Sequence, residues 1–167
     1  MTGEEDLYIK PLDETWIAEI QRVFEAAPNY SQKVEGRLPV PTAAKDALLS
    51  GPPNFDMRNK FGFGFFNRDR LIGYIDIAKG YPEEGISYLG LLLIDESMHG
   101  KGLGTKAFEL IQDEVRKWNC SKIRLSVAET NDVQGFWEKM GFKPTGRVLK
   151  PHQAEIVCDV IEMEKYL

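Results

Sequence analysis

The stretch His99-Gly100-Lys101-Gly102-Leu103-Gly104 constrains this chain more than any other, because alternate glycines stand between an apolar run and a helical one. Before it, Ser87 to Ile94 is almost continuously apolar, the pattern of a central strand buried on both faces. After it, Leu103, Ala107, Leu110, Ile111, Val115 and Trp118 recur at helical spacing. A strand, a bend from Asp95 to His99 and a helix therefore meet at glycines. Such a turn leaves backbone N–H groups unpaired at the positive end of the helix dipole, and glycines let an anion approach closely. A diphosphate is the natural ligand, with Lys101 and Thr105 placed to add a charge and a hydroxyl.

The remainder of the chain predicts one mixed α/β domain over residues 1–167. Leu7 to Leu12 reads as a short strand, and Trp16, Ile17, Ile20, Val23, Phe24 and Ala27 as a helix capped by Asp13. Pro28-Asn29 breaks that helix, Tyr30 to Pro41 reads as a loop or short helix, and Thr42 to Leu49 as a second helix. Phe61 to Phe66 and Leu71 to Lys79 flank a hairpin turn at Asn67-Arg68-Asp69-Arg70. Lys122 to Ala128 alternates as a strand, Val133 to Met140 is a short amphipathic helix stopped by Gly141, and strands follow from Phe142 and over Ala154 to Met163.

Composition narrows the partners. A net charge of −5 on 167 residues argues against a general binder of nucleic acid or anionic membrane, and suits a cationic substrate. The acidic start Glu4-Glu5-Asp6 is no signal peptide, and the Leu89 to Ile94 run is far shorter than a membrane span. Cys120 and Cys158 stand far apart and outside any metal-ligand spacing, as expected of reduced thiols in a cytoplasmic protein, and no metal is expected. A monomer or a homodimer is expected.

Three phosphate-binding patterns compete for the glycines. A Walker loop requires Gly-Lys-Ser/Thr, whereas Gly102 follows Gly100-Lys101. Gly102-x-Gly104-x-x-Ala107 fits a dinucleotide loop, but that fold turns almost at the strand end and needs further parallel strands. The third pattern is Gln/Arg-x-x-Gly-x-Gly/Ala, which the stretch matches at both glycines, with His99 where Gln or Arg is usual.

Here the chain resembles the GNAT superfamily of acyl-CoA-dependent N-acetyltransferases. Asn131 to Phe142, with Phe136-Trp137-Glu138-Lys139-Met140-Gly141-Phe142, is similar to the family's Asn…Phe-Tyr-x-Lys-x-Gly-Phe helix. Leu71-Ile72-Gly73-Tyr74-Ile75-Asp76 with Tyr81-Pro82 also looks like a group of small bacterial members. The resemblance implies a mostly antiparallel central sheet with a splayed parallel strand pair and flanking helices. It implies transfer of an acetyl group from acetyl-CoA to a primary amine, of a small molecule or a protein, by direct attack in a ternary complex. It assigns the diphosphate to the amides of His99, Gly100, Lys101, Gly102, Leu103, Gly104 and Thr105, with Asn131 and Trp137 beside the pantetheine arm. Backbone groups of Leu92 and Ile94 would pair with that arm, and an N–H near Leu92 would face the oxyanion.

The base is less legible. The family often places Glu or His on the strand before the loop, and the matching positions here are Tyr88 and Gly90. Tyr88 would either relay a proton through water or shape the pocket. Asp76, a carboxylate in an apolar strand, is the first candidate base, followed by Glu84. Trp137 stands where the family's tyrosine acid is usual and has no proton to give at neutral pH. The acceptor is expected around Glu25, Tyr30 and Glu35. A protein of the same fold that binds acyl-CoA and regulates without transferring is the competing functional class.

Overall fold

The structure, a computed structural model, describes residues 6–149 and 158–167. Seven strands form one sheet: β1 (Leu7–Pro11), β2 (Lys60–Asn67), β3 (Arg70–Lys79), β4 (Ile86–Ile94), β5 (Lys122–Ala128), β6 (Lys143–Leu149) and β7 (Val160–Tyr166), in the order β1-β2-β3-β4-β5-β7-β6. Neighbours run antiparallel except β4 and β5, which are parallel and paired over Ile86–Tyr88 and Lys122–Arg124. Beyond Tyr88 the two strands part, so the β5-facing edge of β4 is left open.

Helices cover both faces. On one, α4 (Leu103–Lys117) buries Ala107, Ile111 and Val115 of the expected stripe together with Phe108, which the stripe left out, while Leu103, Leu110 and Trp118 are only partly buried, and α5 (Gln134–Lys139) adds Trp137. Each fully buried aliphatic or aromatic side chain of this kind contributes about 1.5–3 kcal/mol. On the other face α1 (Ile17–Glu25) buries Ile20, Val23 and Phe24 against Phe66, Leu71, Tyr74 and Leu93. Strand β2 shows why the sheet takes both layers. Phe61, Phe63 and Phe65 pack toward α4, whereas Gly62 and Gly64 alternate with them. A Cβ at Gly64 would stand 2.8 Å from Leu12 and Leu71, so side chains from neighbouring elements already fill that face.

Of the two readings of the segment after Pro28, the structure shows the short helix, starting two residues earlier than expected. Pro28 ends α1 but starts another helix, α2 (Pro28–Glu35), where its missing N–H costs nothing at the first position. Gly36, at φ 75°, stops it with its N–H on the Gln32 carbonyl. The chain then reaches α3 (Ala43–Leu49), so three helices precede β2. The last strand is β7 at Val160–Tyr166 rather than Ala154 to Met163, of which 154–157 lie outside the described residues. Its register decides this, because Met163 must oppose Leu125 and Ile161 must oppose Val127 to complete the core. Strand β4 is also less enclosed than an apolar run implies, with Gly90 exposed and Leu91 and Leu92 half-buried.

Candidate active site

Two clefts flank the open edge of β4. The first, about 570 Å³, lies between the parted ends of β4 and β5 and is roofed by α2. Leu92, Ile94, His99, Gly100, Gly102, Leu103, Gly104, Thr105, Asn131 and Trp137 all line it. The bend before the loop is a short 3-10 turn, Glu96–Met98, whose entry is fixed by Asp95. Burial opposes a charge there, but hydrogen bonds from Ser97 and the guanidinium groups of Arg70 and Arg22 hold the Asp95 carboxyl below its usual range.

The loop has the shape an anion needs. Gly100 and Gly102 have φ of 79° and 74°, a left-handed conformation that side chains with a Cβ rarely adopt, and open space lies where a Cβ would point. Lys106 donates its N–H to the Gly102 carbonyl at 3.2 Å. The first helical turn therefore presents the N–H groups of Leu103, Gly104 and Thr105 without intrahelical partners. The exposed ring of His99 faces backward, its Nε2 lying 3.0 Å from the Ile94 carbonyl, so its imidazole orients the bend. Lys101 is exposed and does not line the cleft.

Helix α2 is tied down on both sides of this cleft. The Asn29 N–H donates to Glu96 at 3.0 Å, and the Thr130 hydroxyl donates to the Lys33 carbonyl. Trp137 has a double position: it lines the cleft, yet it is 8% exposed and packs edge-on against Phe108, Phe136 and Phe142.

The second cleft, about 660 Å³, opens on the other side of β4 and contains Asp76, Tyr88, Tyr30 and Glu35. Glu25 and Glu84 are exposed and line neither cleft. The clefts meet at Tyr30, Gly90 and Leu91, which line both. A bulge makes this junction: Asp76 opposes Leu91 and Ile77 opposes Leu89, so Gly90 is the extra residue of β4.

Asp76 stands beside that bulge. Its Oδ1 lies 3.3 Å from where a Gly90 Cβ would be, and its Oδ2 accepts from the Lys60 ammonium at 2.6 Å. Burial pushes its carboxyl up to about 6, against the opposing pull of Lys60. Lys60, 5% exposed at its side chain, also donates to the carbonyls of Ala47 and Ser50. Sequence reasoning missed this partner, because Lys60 reads as a polar residue before a strand. Tyr30 was expected at the acceptor but stands at the throat itself, and burial, then the charges of Glu35 and Asp76, push its phenol up to about 12. Tyr88 shares a hydrogen bond with Ser126 across the point where β4 and β5 part.

Among the described residues no group of three or more His, Cys, Asp or Glu side chains could hold a metal ion, and no helix is long and apolar enough to cross a membrane.

A parted parallel strand pair, a glycine-opened helix and an open strand edge together fit a long ligand ending in a diphosphate. The sequence model of the acetyltransferase (GNAT) family matches residues 20–142, from α1 through the end of α5. The chain belongs to this family. Its fold is similar to that of an acetyltransferase from Thermus thermophilus, 25% identical over 96% of this chain and 97% of that one, with a TM-score of 0.75. It is also similar to the PaiA N-acetyltransferase from Thermoplasma acidophilum, solved in complex with coenzyme A. There the identity is 16%, the coverage 96% and 99%, and the TM-score 0.67. The ribosomal-protein-S18-alanine N-acetyltransferase from Escherichia coli shares the fold at 15% identity, with 96% and 93% covered and a TM-score of 0.70. No curated protein matches the sequence.

Proposed function

We propose that this GNAT protein, acting as one unit over its whole length, transfers an acetyl group from acetyl-CoA to a primary amine held in the second cleft. The observation that carries this reading is the junction at Gly90, where the Asp76 oxygen not bonded to Lys60, which has no hydrogen-bond partner among the described residues, stands where the glycine-loop cleft meets the second one. Acetyl-CoA, when bound, supplies the thioester that an amine attacks. The amides of Leu103, Gly104 and Thr105, with the open turns at Gly100 and Gly102, receive its diphosphate. The free edge of β4 around Leu92 and Ile94 offers backbone groups to its extended arm, and Asn131 lines the same wall.

Asp76 takes the proton from the acceptor's ammonium through Oδ1, while Lys60 fixes Oδ2 and so sets which oxygen is available. A base near 6 is mostly ionised at neutral pH, where it still accepts a proton. Tyr30 keeps its proton over the same range and lines both clefts, so it is the proton donor in place of Trp137, whose indole N–H can only hydrogen-bond. Tyr88, tied to Ser126, shapes the wall of the second cleft. The deciding experiment is thiol release from acetyl-CoA against a panel of small amines and amino-terminal peptides. Saturable, amine-dependent release supports transfer. CoA binding with no release above the blank for any amine supports the non-catalytic class instead.

A further inference from the structure

The second cleft has two chemically distinct ends. One is the Gly90 junction with Asp76. The other is a wall built by β5, β6 and β7, where Arg124, Arg147 and Glu162 face the cavity. Tyr81 and Tyr88, packed edge-on at 5.7 Å, line the space between.

At the far wall two guanidinium groups meet two carboxylates. Glu162, 5% exposed at its side chain, lies between two guanidinium groups, 3.8 Å from Arg124 and 3.6 Å from Arg147, and accepts from Thr145 at 3.0 Å. Glu164 accepts from Arg124 through Nε at 3.3 Å and Nη2 at 2.9 Å. A guanidinium has five N–H groups in a rigid fork. The bonds to Glu164 use two of them on one edge of the fork, so its Nη1 end has no hydrogen-bond acceptor among the described residues. Arg124 is pinned from behind, with its side chain 15% exposed, and does not have to be ordered when a ligand arrives. Arg147 reaches the same cavity from the rim, its side chain 63% exposed. Glu162 and Glu164 balance the two guanidinium charges, but the open fork edge of Arg124, with Arg147 beside it at the rim, still offers donors to a further anion.

We propose that the acceptor is an amine that carries an anionic group, a carboxylate or a phosphate, at its other end, bound by Arg124 and Arg147. The inference rests on the second cleft being the acceptor site. Its amine lies at Asp76 and its anion at the wall of β5, β6 and β7, so the two charges of the acceptor sit at opposite ends of the molecule. Simple alkylamines and polycations lack the second handle.

Calorimetry on the CoA-loaded protein tests this with butylamine, 4-aminobutyrate and 3-aminopropyl phosphate, probes of similar length that differ at the far end. At least one anionic probe should bind about 10-fold or more tightly than butylamine, as a charge-assisted fork contact implies. The tighter of the two identifies carboxylate or phosphate. Arg124→Gln should bring that ratio toward one, and Arg124→Lys should restore part of it. Since Arg124→Gln removes the nearer partner of Glu164, leaving Lys122 at 3.8 Å, and endangers folding, Arg147→Gln at the exposed rim gives an independent reduction of the ratio. Equal binding of all three probes, tighter binding of butylamine, no measurable binding of any, or a ratio that survives both substitutions would overturn the inference. Failure of the acetyl-transfer reading shows separately, as absent thiol release with the binding ratio intact.

Discussion

Lys60 Nζ and Asp76 Oδ2 lie 2.6 Å apart, joining the first residue of β2 to the middle of β3 beneath the bulge at Gly90. Both are largely withdrawn from water, and the ammonium is further held by the carbonyls of Ala47 and Ser50. The pair leaves one carboxylate oxygen facing the junction of the clefts. Turnover should therefore rise with pH through about 6, as Asp76 loses its proton. Asp76→Asn should lower it by about 10²-fold and abolish that limb. A pH–rate profile of both proteins checks this, and an Asn variant with near-normal turnover counts against Asp76.

Lys60 acts on the same limb with a known sign. Its ammonium lowers the Asp76 pKa, so Lys60→Met should move the rising limb to higher pH. Breaking a buried pair also leaves an unpaired charge and should cost about 3–5 kcal/mol of stability. Denaturant unfolding and the rate profile, measured together, separate the two effects.

Asp76 and Asp95 should give stability opposite pH dependences. Asp76 is raised on folding, so its stabilising contribution is complete below about 3.8 and is lost as pH rises through about 6. Asp95 is lowered, so its contribution is present above 3.8 and is lost as pH falls through its folded value. Asp76→Asn should flatten the melting temperature between those two Asp76 values, and Asp95→Asn should flatten it in acid.

Gly102→Val forces a branched side chain into φ 74° and puts a Cβ into the space open to an anion. A left-handed residue with a Cβ costs about 1–2 kcal/mol. CoA affinity, measured by calorimetry at a temperature where the variant is folded, should fall more than stability does. Affinity unchanged beside a lowered melting temperature would remove the loop from the site.

The proposed function gives the proton-donor role to Tyr30 and leaves Trp137 to packing. Tyr30→Phe should slow turnover about 10-fold or more with CoA affinity retained, since it removes the hydroxyl shared by the clefts. Trp137→Phe takes volume from a cluster that already holds Phe108, Phe136 and Phe142 and should cost about 2 kcal/mol, with turnover little changed in the folded protein. Single-turnover rates beside thermal melts show which residue the reaction uses.

The glycine turn into α4 was legible in the chain because its parts are consecutive. The apolar run to Ile94, the glycines at 100, 102 and 104, and the stripe of α4 name a strand, a turn and a helix in order. Local patterns of this kind survive because backbone geometry alone produces the N–H array. Asp76 was also visible, as a carboxylate that an apolar strand does not tolerate without a reason.

The rest depended on contacts between distant segments. No local signal couples Lys60 to Asp76, Tyr88 to Ser126, or Arg124 to Glu162, because each pair is made by strand register and not by spacing along the chain. Glu25 and Glu84 carry the right charge, but the elements that hold them turn them to solvent. Helix α2 was blurred by Pro28, which breaks the preceding helix and starts the next, and its place over the cleft comes from Glu96 and Thr130. By itself the sequence determined most of the elements and the glycine turn that opens α4, since these follow from periodicity and glycine geometry. Only the tertiary structure decided where the clefts meet, which oxygen of Asp76 pairs with Lys60 and which arginines line the second cleft, because those follow from a one-residue bulge at Gly90 and from the parting of β4 and β5.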